Sequence, residues 1–355
     1  MSEPGPGWPG RPTRRLLGVV GLALLMLNAA ALSGFLLRDR SAWLAPLMYL
    51  PLAPLGLAAA GLDLARRGGG VGRPRFLLTA VGLAALGCSC AEMIGRGPTV
   101  PAYASDGEPI RLLHWNVLWG GHPRTDATWT SIEDDIIRRA PDIVVLSEAP
   151  PDARIDSLRR RLGPEWTSTQ WEHPPRSSYW YKLVALSRWP VREGRPVAIR
   201  NGAALDVRVE RPDGPLRLLI VDGQSRPTQL RTPMLEAVAA ACRRAAAEGE
   251  PYDALVGDFN AVARALGFDA IRSAAGGYEA ASRSSAGWRG TWPMPLPLYD
   301  IDHVWIRADH PVLGCALFAN MASDHRGQLV RFSASRSAGS REESTDGPGP
   351  GAGSR

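Results

Sequence analysis

The residues able to do chemistry stand at the ends of short apolar runs. Leu255-Val256-Gly257 leads into Asp258, Phe259 and Asn260. In a strand, positions i and i+2 face the same side, so Asp258 and Asn260 are expected to project together from one strand end. A carboxylate can bind a hard cation or orient a water, and a carboxamide can hydrogen-bond a phosphoryl oxygen without adding negative charge. The same pair also suits an ordinary Asp/Asn turn. Other stretches repeat the arrangement. Asn116 follows Leu112-Leu113-His114-Trp115, and Glu148 follows Ile143-Val144-Val145-Leu146-Ser147. Asp302 follows Tyr299-Asp300-Ile301, and Asp324-His325 follow Met321-Ala322-Ser323. In α/β folds, sites collect at strand ends and the loops beyond them. Polar endings repeated over one region point to a shared cleft. His114, inside a strand, and His303, behind Asp302, read as structural histidines.

The elements that must position these groups begin near residue 110. Apolar patterning predicts strands over 110–117, 141–146, 179–187, 204–210, 216–221, 302–306 and 329–332, besides the run ending at Asp258. Helices are expected over 128–139, with Ile132, Ile136 and Ile137 on its apolar face, and over 153–162, 232–248 and 264–273. Pro233 suits the first turn of the third. The alternation predicts an α/β domain over 109–333, a size compatible with one domain. Parallel and mixed pairing stay equally open. Residues 99–108 read as a polar linker, and 334–355, rich in Ser, Gly, Arg and Pro, as a disordered tail.

The order Trp115-Asn116, Ser147-Glu148, Gly257-Asp258-Phe259-Asn260, Ile301-Asp302-His303 and Ser323-Asp324-His325 resembles the endonuclease/exonuclease/phosphatase superfamily, the DNase-I-like fold, over roughly 108–333. The resemblance implies a four-layer α/β sandwich, two packed β-sheets flanked by helices, and Mg2+- or Mn2+-dependent hydrolysis of a phosphoester. By it, Glu148 is the principal metal ligand with Asn116 beside it. Asp258 positions or deprotonates the attacking water, and Asn260 binds phosphate. Asp302 orients a catalytic His or assists a metal, Asp324 pairs with His325, and His325 polarises a phosphoryl oxygen. One position departs from the pattern. Where many members carry a His at the end of a central strand, the stretch Leu218-Leu219-Ile220-Val221-Asp222 places Asp222. An ionised Asp cannot donate a hydrogen bond, so Arg226 is the candidate replacement for the missing positive charge. The departure leaves open a catalytically weakened or inactive binding module that keeps the fold.

The first hundred residues are of another kind. Apolar runs cover about 16–37, 43–64 and 76–94, and three membrane helices are expected within a segment ending near residue 98. Arg11, Arg14 and Arg15 precede the first run, and Arg66, Arg67, Arg73 and Arg75 separate the second from the third. The positive-inside rule then puts the N-terminus in the cytoplasm and everything after the third run outside it. This predicts a multi-pass cell-membrane protein with an extracytoplasmic catalytic domain. The net charge of +6 is carried almost wholly by arginine, Lys182 being the only lysine. Those arginines are scattered rather than clustered, which argues weakly for nucleic acid. Cys88, Cys90, Cys242 and Cys315 have no metal-ligand spacing. The expected partners are a lipid bilayer and a phosphoester substrate, whether nucleic acid, phospholipid or a small phosphodiester; no feature points to a protein partner. Trp288, Trp292 and Tyr299 border a Pro-rich loop suited to stacking on a base, to resting on a bilayer, or to packing on its own domain.

Overall fold

The computed structural model describes residues 11–65, 76–97, 108–173 and 180–334. The arginines at 66, 67, 73 and 75, most of the expected linker and nearly all of the expected tail lie outside the described residues.

The chain opens with three helices: α1 (Arg11–Leu37), α2 (Leu52–Ala65) and α3 (Leu77–Met93). The 23 residues Arg15–Leu37, with mean hydropathy 2.2 and only 17% of the span buried, form the one described helix long and apolar enough to cross a membrane. The second expected run is not one helix. Pro46 and Pro51 break it into a 3-10 turn (Ala45–Tyr49) and the 14-residue α2. Proline lacks the N–H that an uninterrupted helix needs there. At 1.5 Å per residue α2 reaches about 21 Å and the 17-residue α3 about 26 Å, short of a hydrocarbon core of roughly 30 Å. The two run antiparallel: Asp63 near the end of α2 accepts hydrogen bonds from the backbone and hydroxyl of Thr79 at the start of α3.

Strand β1 (Ile94–Arg96) leads out of α3. Next come β2 (Ile110–Asn116), α4 (Asp126–Arg138), β3 (Ile143–Ser147), α5 (Asp152–Leu162), β4 (Thr167–Glu172), β5 (Lys182–Ser187), β6 (Arg195–Val197), β7 (Gly202–Val209) and β8 (Leu216–Gly223). Helix α6 (Thr232–Ala247), β9 (Ala254–Asp258), α7 (Gly267–Ser273), β10 (Tyr278–Ala280), β11 (Ala286–Trp288), β12 (Asp302–Arg307), β13 (Val312–Phe318) and β14 (Gly327–Phe332) complete the order. One six-stranded sheet runs β13-β14-β2-β3-β5-β4, and the other β10-β12-β9-β8-β7-β6. Both are mixed. Each contains one parallel pair, β2 with β3 and β8 with β9, joined by a crossover helix, α4 and α6.

The layers follow from two-residue alternation on strands buried on both faces. Ile110 and Leu112 of β2, Ile143 and Val145 of β3, Leu218 and Ile220 of β8, and Ala254 and Val256 of β9 fill the space between the sheets. The intervening residues face outward. Leu113 and Trp115 pack with Trp129, Ile132 and Ile136 of α4. Leu219 and Leu255 pack with Leu235 and Val238 of α6 and Phe268 of α7. Helix α4 is started by Thr125, whose hydroxyl accepts from the backbone of Thr128, with Asp126 in its first turn and Arg138 in its last, both favourable to the helix dipole. The result is helix, sheet, sheet, helix, the four-layer sandwich that the resemblance implies.

Candidate active site

The alternation that fills the core also builds the site. Counting by twos from Ile110 and Leu112 reaches His114 and Asn116; from Leu218 and Ile220, Asp222; from Ala254 and Val256, Asp258; and from Ile306 and Val304 back along β12, Asp302. Each polar residue therefore continues the inward face of its strand past the point where the apolar core stops. On the second sheet the register is level: Asp222 pairs with Asp258, and Asp258 with Asp302. Gly257 makes this approach possible. Its φ is +152°, and a Cβ there would fall 1.8 Å from the Val221 carbonyl oxygen of the neighbouring strand.

Opposite this row, Asn116 donates from Nδ2 to Asp258 Oδ2 at 3.0 Å, and its Oδ1 accepts from Leu118 N. Glu148 follows β3 in left-handed backbone, φ +45°, and Asn260 follows Asp258 at φ +48°. Non-glycine residues in that region cost of order 1–3 kcal/mol and cluster at functional sites. Asn260 N donates to Asp258 Oδ1 at 2.9 Å, and Asn260 Nδ2 to the Gly223 carbonyl at 2.8 Å. His325 enters from the loop before β14. Its Nδ1 lies 2.8 Å from Asp302 Oδ2, and its Nε2 3.9 Å from both Asp258 and Asp324. Asp302, on another strand, thus holds the ring, not the sequence neighbour Asp324. Asp324 instead accepts from Trp292 Nε1 at 3.0 Å.

Charge is concentrated where little water reaches. Burial, opposed by the Asn116 hydrogen bond and His325, raises the pKa of Glu148. Burial and then Asp302 push Asp258 up to about 7. Burial, Asp258 and Glu148 raise Asp222 well above the usual carboxylate range. Burial also acts on Asp302, but His325 overrides it and holds that carboxyl below its ordinary value. The ring shows the reciprocal effect: against its own burial, Asp302 raises His325 to about 10. The pairing with Asp302 therefore favours the protonated ring. Asp222 Oδ2, Asp302 Oδ1 and Asp324 Oδ1 are buried without a hydrogen-bond partner. Asp258, Asp302 and His325 each offer a ligand atom within 4.8 Å of the others, a cluster able to hold a metal ion.

Not every expected residue joins the cluster. Arg226 is exposed in the loop after β8. The arginine that reaches the site from that side is Arg231, 4% exposed, whose Nε donates to the Asn260 carbonyl at 2.6 Å. His303 is buried with Nε2 2.7 Å from the Ala261 carbonyl oxygen, and burial lowers its pKa to about 4. His114, also lowered to about 4 by burial, lies 3.3 Å from Ser147 Oγ. Two features had no counterpart among the sequence expectations. Trp119 stacks on Trp180 at 4.4 Å beside Glu148, whose carbonyl accepts from Trp119 N. Tyr49, from the segment between α1 and α2, donates to the Asn260 carbonyl at 3.0 Å. Trp119, three residues past Asn116, was a readable signal for the first; nothing local to Tyr49 signals the second.

A mixed two-sheet sandwich with a carboxylate-rich cleft at one end defines a class. The chain belongs to the Endonuclease/Exonuclease/phosphatase family, whose profile matches residues 113–325. No curated protein matches it. Among solved structures it is similar to the human Nocturnin catalytic domain with bound sulfate anion, at 17% identity and TM-score 0.52, over 63% of this chain and 94% of that one. It is similar also to D. rerio TDP2 complexed with single strand DNA product, at 17% identity and TM-score 0.51, over 64% and 100%. A third is a functionally unknown conserved protein from Enterococcus faecalis V583, at 13% identity and TM-score 0.51, over 64% and 100%. At these identities the likeness is one of fold.

Proposed function

We propose that this protein is a membrane-anchored phosphoester hydrolase that uses a divalent cation, Mg2+ or Mn2+, and an activated water. The observation that carries the reading is the Asp302–His325 pair set against Asp258, Asn116 and Glu148 at one end of the sandwich. The donor set fits a hard cation: it is rich in oxygen, and buried carboxylate oxygens lack partners. Glu148 and Asn116 are the better seat. In the cluster of Asp258, Asp302 and His325 the ring Nδ1 is already engaged by Asp302 at 2.8 Å. Bound at Glu148, the cation would supply neutralisation of charge on the phosphoryl oxygens.

The chain's own groups divide the remaining work. Asp258, with its pKa near neutrality, orients the water and accepts its proton. His325, clamped at Nδ1, presents Nε2–H to a phosphoryl oxygen. Asn260 has one amide N–H beyond the one given to Gly223, and that N–H serves the phosphate. Burial and the neighbouring carboxylates raise the pKa of Asp222, which favours its protonated form, the form able to donate a hydrogen bond as a histidine would. The family relation and the DNA product in the TDP2 complex fit a phosphodiester substrate.

The anchor is α1. We read α2 and α3, each shorter than the hydrocarbon core, as crossings around which the bilayer thins, and the α/β body as extracytoplasmic. Residues 38–50 and the end of α3 both meet that body, while the arginine-rich segments fall at the other helix ends in sequence. Full-length protein in detergent micelles, given bis-p-nitrophenyl phosphate with Mg2+ or Mn2+, is expected to turn over and to stop on chelation. A folded protein without turnover in either metal would sink the hydrolase reading. Protease added to intact cells should digest the α/β body; protection would overturn the outside placement.

A further inference from the structure

The segment that joins α1 to α2 does not hang free between them. Arg38 pairs with Asp269 of α7 at 2.7 Å and donates to the Ala265 carbonyl. Asp39, 4% exposed, accepts from the backbone of Leu266 at 2.7 Å and from the Thr232 hydroxyl at 3.2 Å. In return Arg264 donates twice to the Phe35 carbonyl at the end of α1. These contacts deliver Tyr49 to the cleft. Its hydroxyl donates to the Asn260 carbonyl at 3.0 Å, and its own carbonyl accepts from the Tyr299 hydroxyl at 2.6 Å. Tyr299 stacks on Trp292 at 5.9 Å, and Trp292 donates to Asp324 beside His325. Tyr49 thus touches the Asp258-Phe259-Asn260 turn on one side and the loop over His325 on the other.

Asn260 needs such support. Its backbone sits at φ +48°, a left-handed conformation that asparagine adopts more readily than most residues but that its contacts must hold. Its carbonyl is held by Tyr49 and Arg231, and its amide by Asp258. A displacement of about 1 Å in a catalytic group can cost on the order of a hundredfold in rate. We propose that the 38–50 segment is a working part of the catalytic cleft, and that Tyr49 is a positioning residue acting through Asn260. The proposal rests on the reading of Asn260 as the phosphoryl ligand. On it, the apolar N-terminal region is more than an anchor: it supplies one of the braces of the active site.

The test uses the full chain in detergent. Tyr49→Phe removes one hydroxyl and keeps the ring. We expect kcat on bis-p-nitrophenyl phosphate with Mn2+ to fall about fivefold, the effect of one hydrogen bond, with the melting temperature and KM little changed. On an Asn260→Ala background the same substitution should change kcat less than twofold, because the group it acts through is gone. A merely structural role would lower activity equally on both backgrounds, and that result overturns the proposal. So does an unchanged kcat in Tyr49→Phe. Inorganic phosphate binding in the presence of Mn2+, followed by calorimetry, reads the same brace without turnover; Tyr49→Phe should weaken it about fivefold. If wild type proves inactive but binds phosphate, the hydrolase reading fails while this measurement still decides: weakened binding in the variant supports the brace, and equal binding overturns it. A wild-type protein that neither turns over the diester nor binds phosphate overturns both; one that turns over without binding phosphate leaves the kcat comparison to decide the brace. Should Tyr49→Phe unfold, Tyr299→Phe removes the neighbouring hydroxyl and is held to the same outcomes.

Discussion

The two sheets that face each other across the cleft bring unlike groups to it. Strands β2 and β3 lead into an amide and a carboxylate, Asn116 and Glu148, the latter on left-handed backbone just past its strand. The sheet of β8, β9 and β12 contributes three carboxylates in level register, Asp222, Asp258 and Asp302. Such a row repels itself: burial and this repulsion raise the pKa of Asp222, and the ring of His325, leaning across from the loop before β14, pairs with Asp302. His325 and Asp324 come from the β13–β14 loop of the same sheet as Glu148, so the group that answers the carboxylate row is supplied from the opposite wall. The proposed cation at Glu148 would answer the negative charge on one wall as the His325 ring does on the other.

Breaking each wall should give different losses. The largest is expected at Glu148: Glu148→Ala should lower kcat by about three orders of magnitude or more, with no recovery on raising Mn2+ within the soluble range. Full activity in that variant would remove Glu148 from the site. Asp302→Asn comes next and differs in kind. In wild type the Asp302 carboxylate raises His325 to about 10, so the imidazolium persists to alkaline pH. Without that charge the ring returns toward its ordinary value near 6.5, and the charged form is lost as pH rises through neutrality. The rate at pH 8 should fall about a hundredfold, with a smaller loss at pH 6. A pH–rate profile of unchanged shape would contradict the pairing. Asp222→Asn keeps a donor in place and should stay within about tenfold of wild type, whereas Asp222→Ala should lose more. If Asn and Ala behave alike, Asp222 does not act as a donor.

The smallest effect concerns stability, on the far side of the second sheet. His303 is buried and neutral, its pKa lowered to about 4 by burial. Its contribution is fully present above about pH 6.5, where the unfolded chain is also neutral, and is lost as pH falls from 6.5 toward 4. Over that window the loss amounts to at most about 3 kcal/mol. Urea midpoints at pH 7.5 and 5 should show it, and His303→Gln should flatten the difference. An unchanged slope in that variant would place the acid sensitivity elsewhere.

Most strands near the cleft were legible in the sequence because burial on both faces writes them as apolar runs, and the polar residue that ends each run stands out against it. The same rule hides the rest. β4, Thr167-Ser168-Thr169-Gln170-Trp171-Glu172, is an edge strand with an exposed face and carries no such run. Helix α7 starts at Gly267, later than expected; Arg264 and Leu266 before it are taken up in contacts with Phe35 of α1 and Asp39 just after it. The second apolar run looked continuous to hydropathy, which does not weigh the prolines that split it. Pairing of Asp324 with His325 looked natural by adjacency. In the bend before β14, Asp324 comes only to 3.9 Å of Nε2, while the carboxylate at hydrogen-bonding distance from the ring comes from 23 residues away in sequence, on β12. Tyr49 and Asn260 are 211 residues apart, and neither carries a local pattern that announces the other.

Phe259, the apolar residue between Asp258 and Asn260, works like a keel. It points away from the cleft into the helical layer, where it is fully buried against Phe268 and the ring of His303, each at 5.7 Å. The polar residues on either side of it cannot swing without dragging an aromatic side chain through close-packed surroundings. The stiffness of the proposed catalytic turn is thus borrowed from a layer that holds none of its chemistry. Thinning that layer, by Phe268→Leu for instance, is expected to blunt the turn's aim before it loosens the fold.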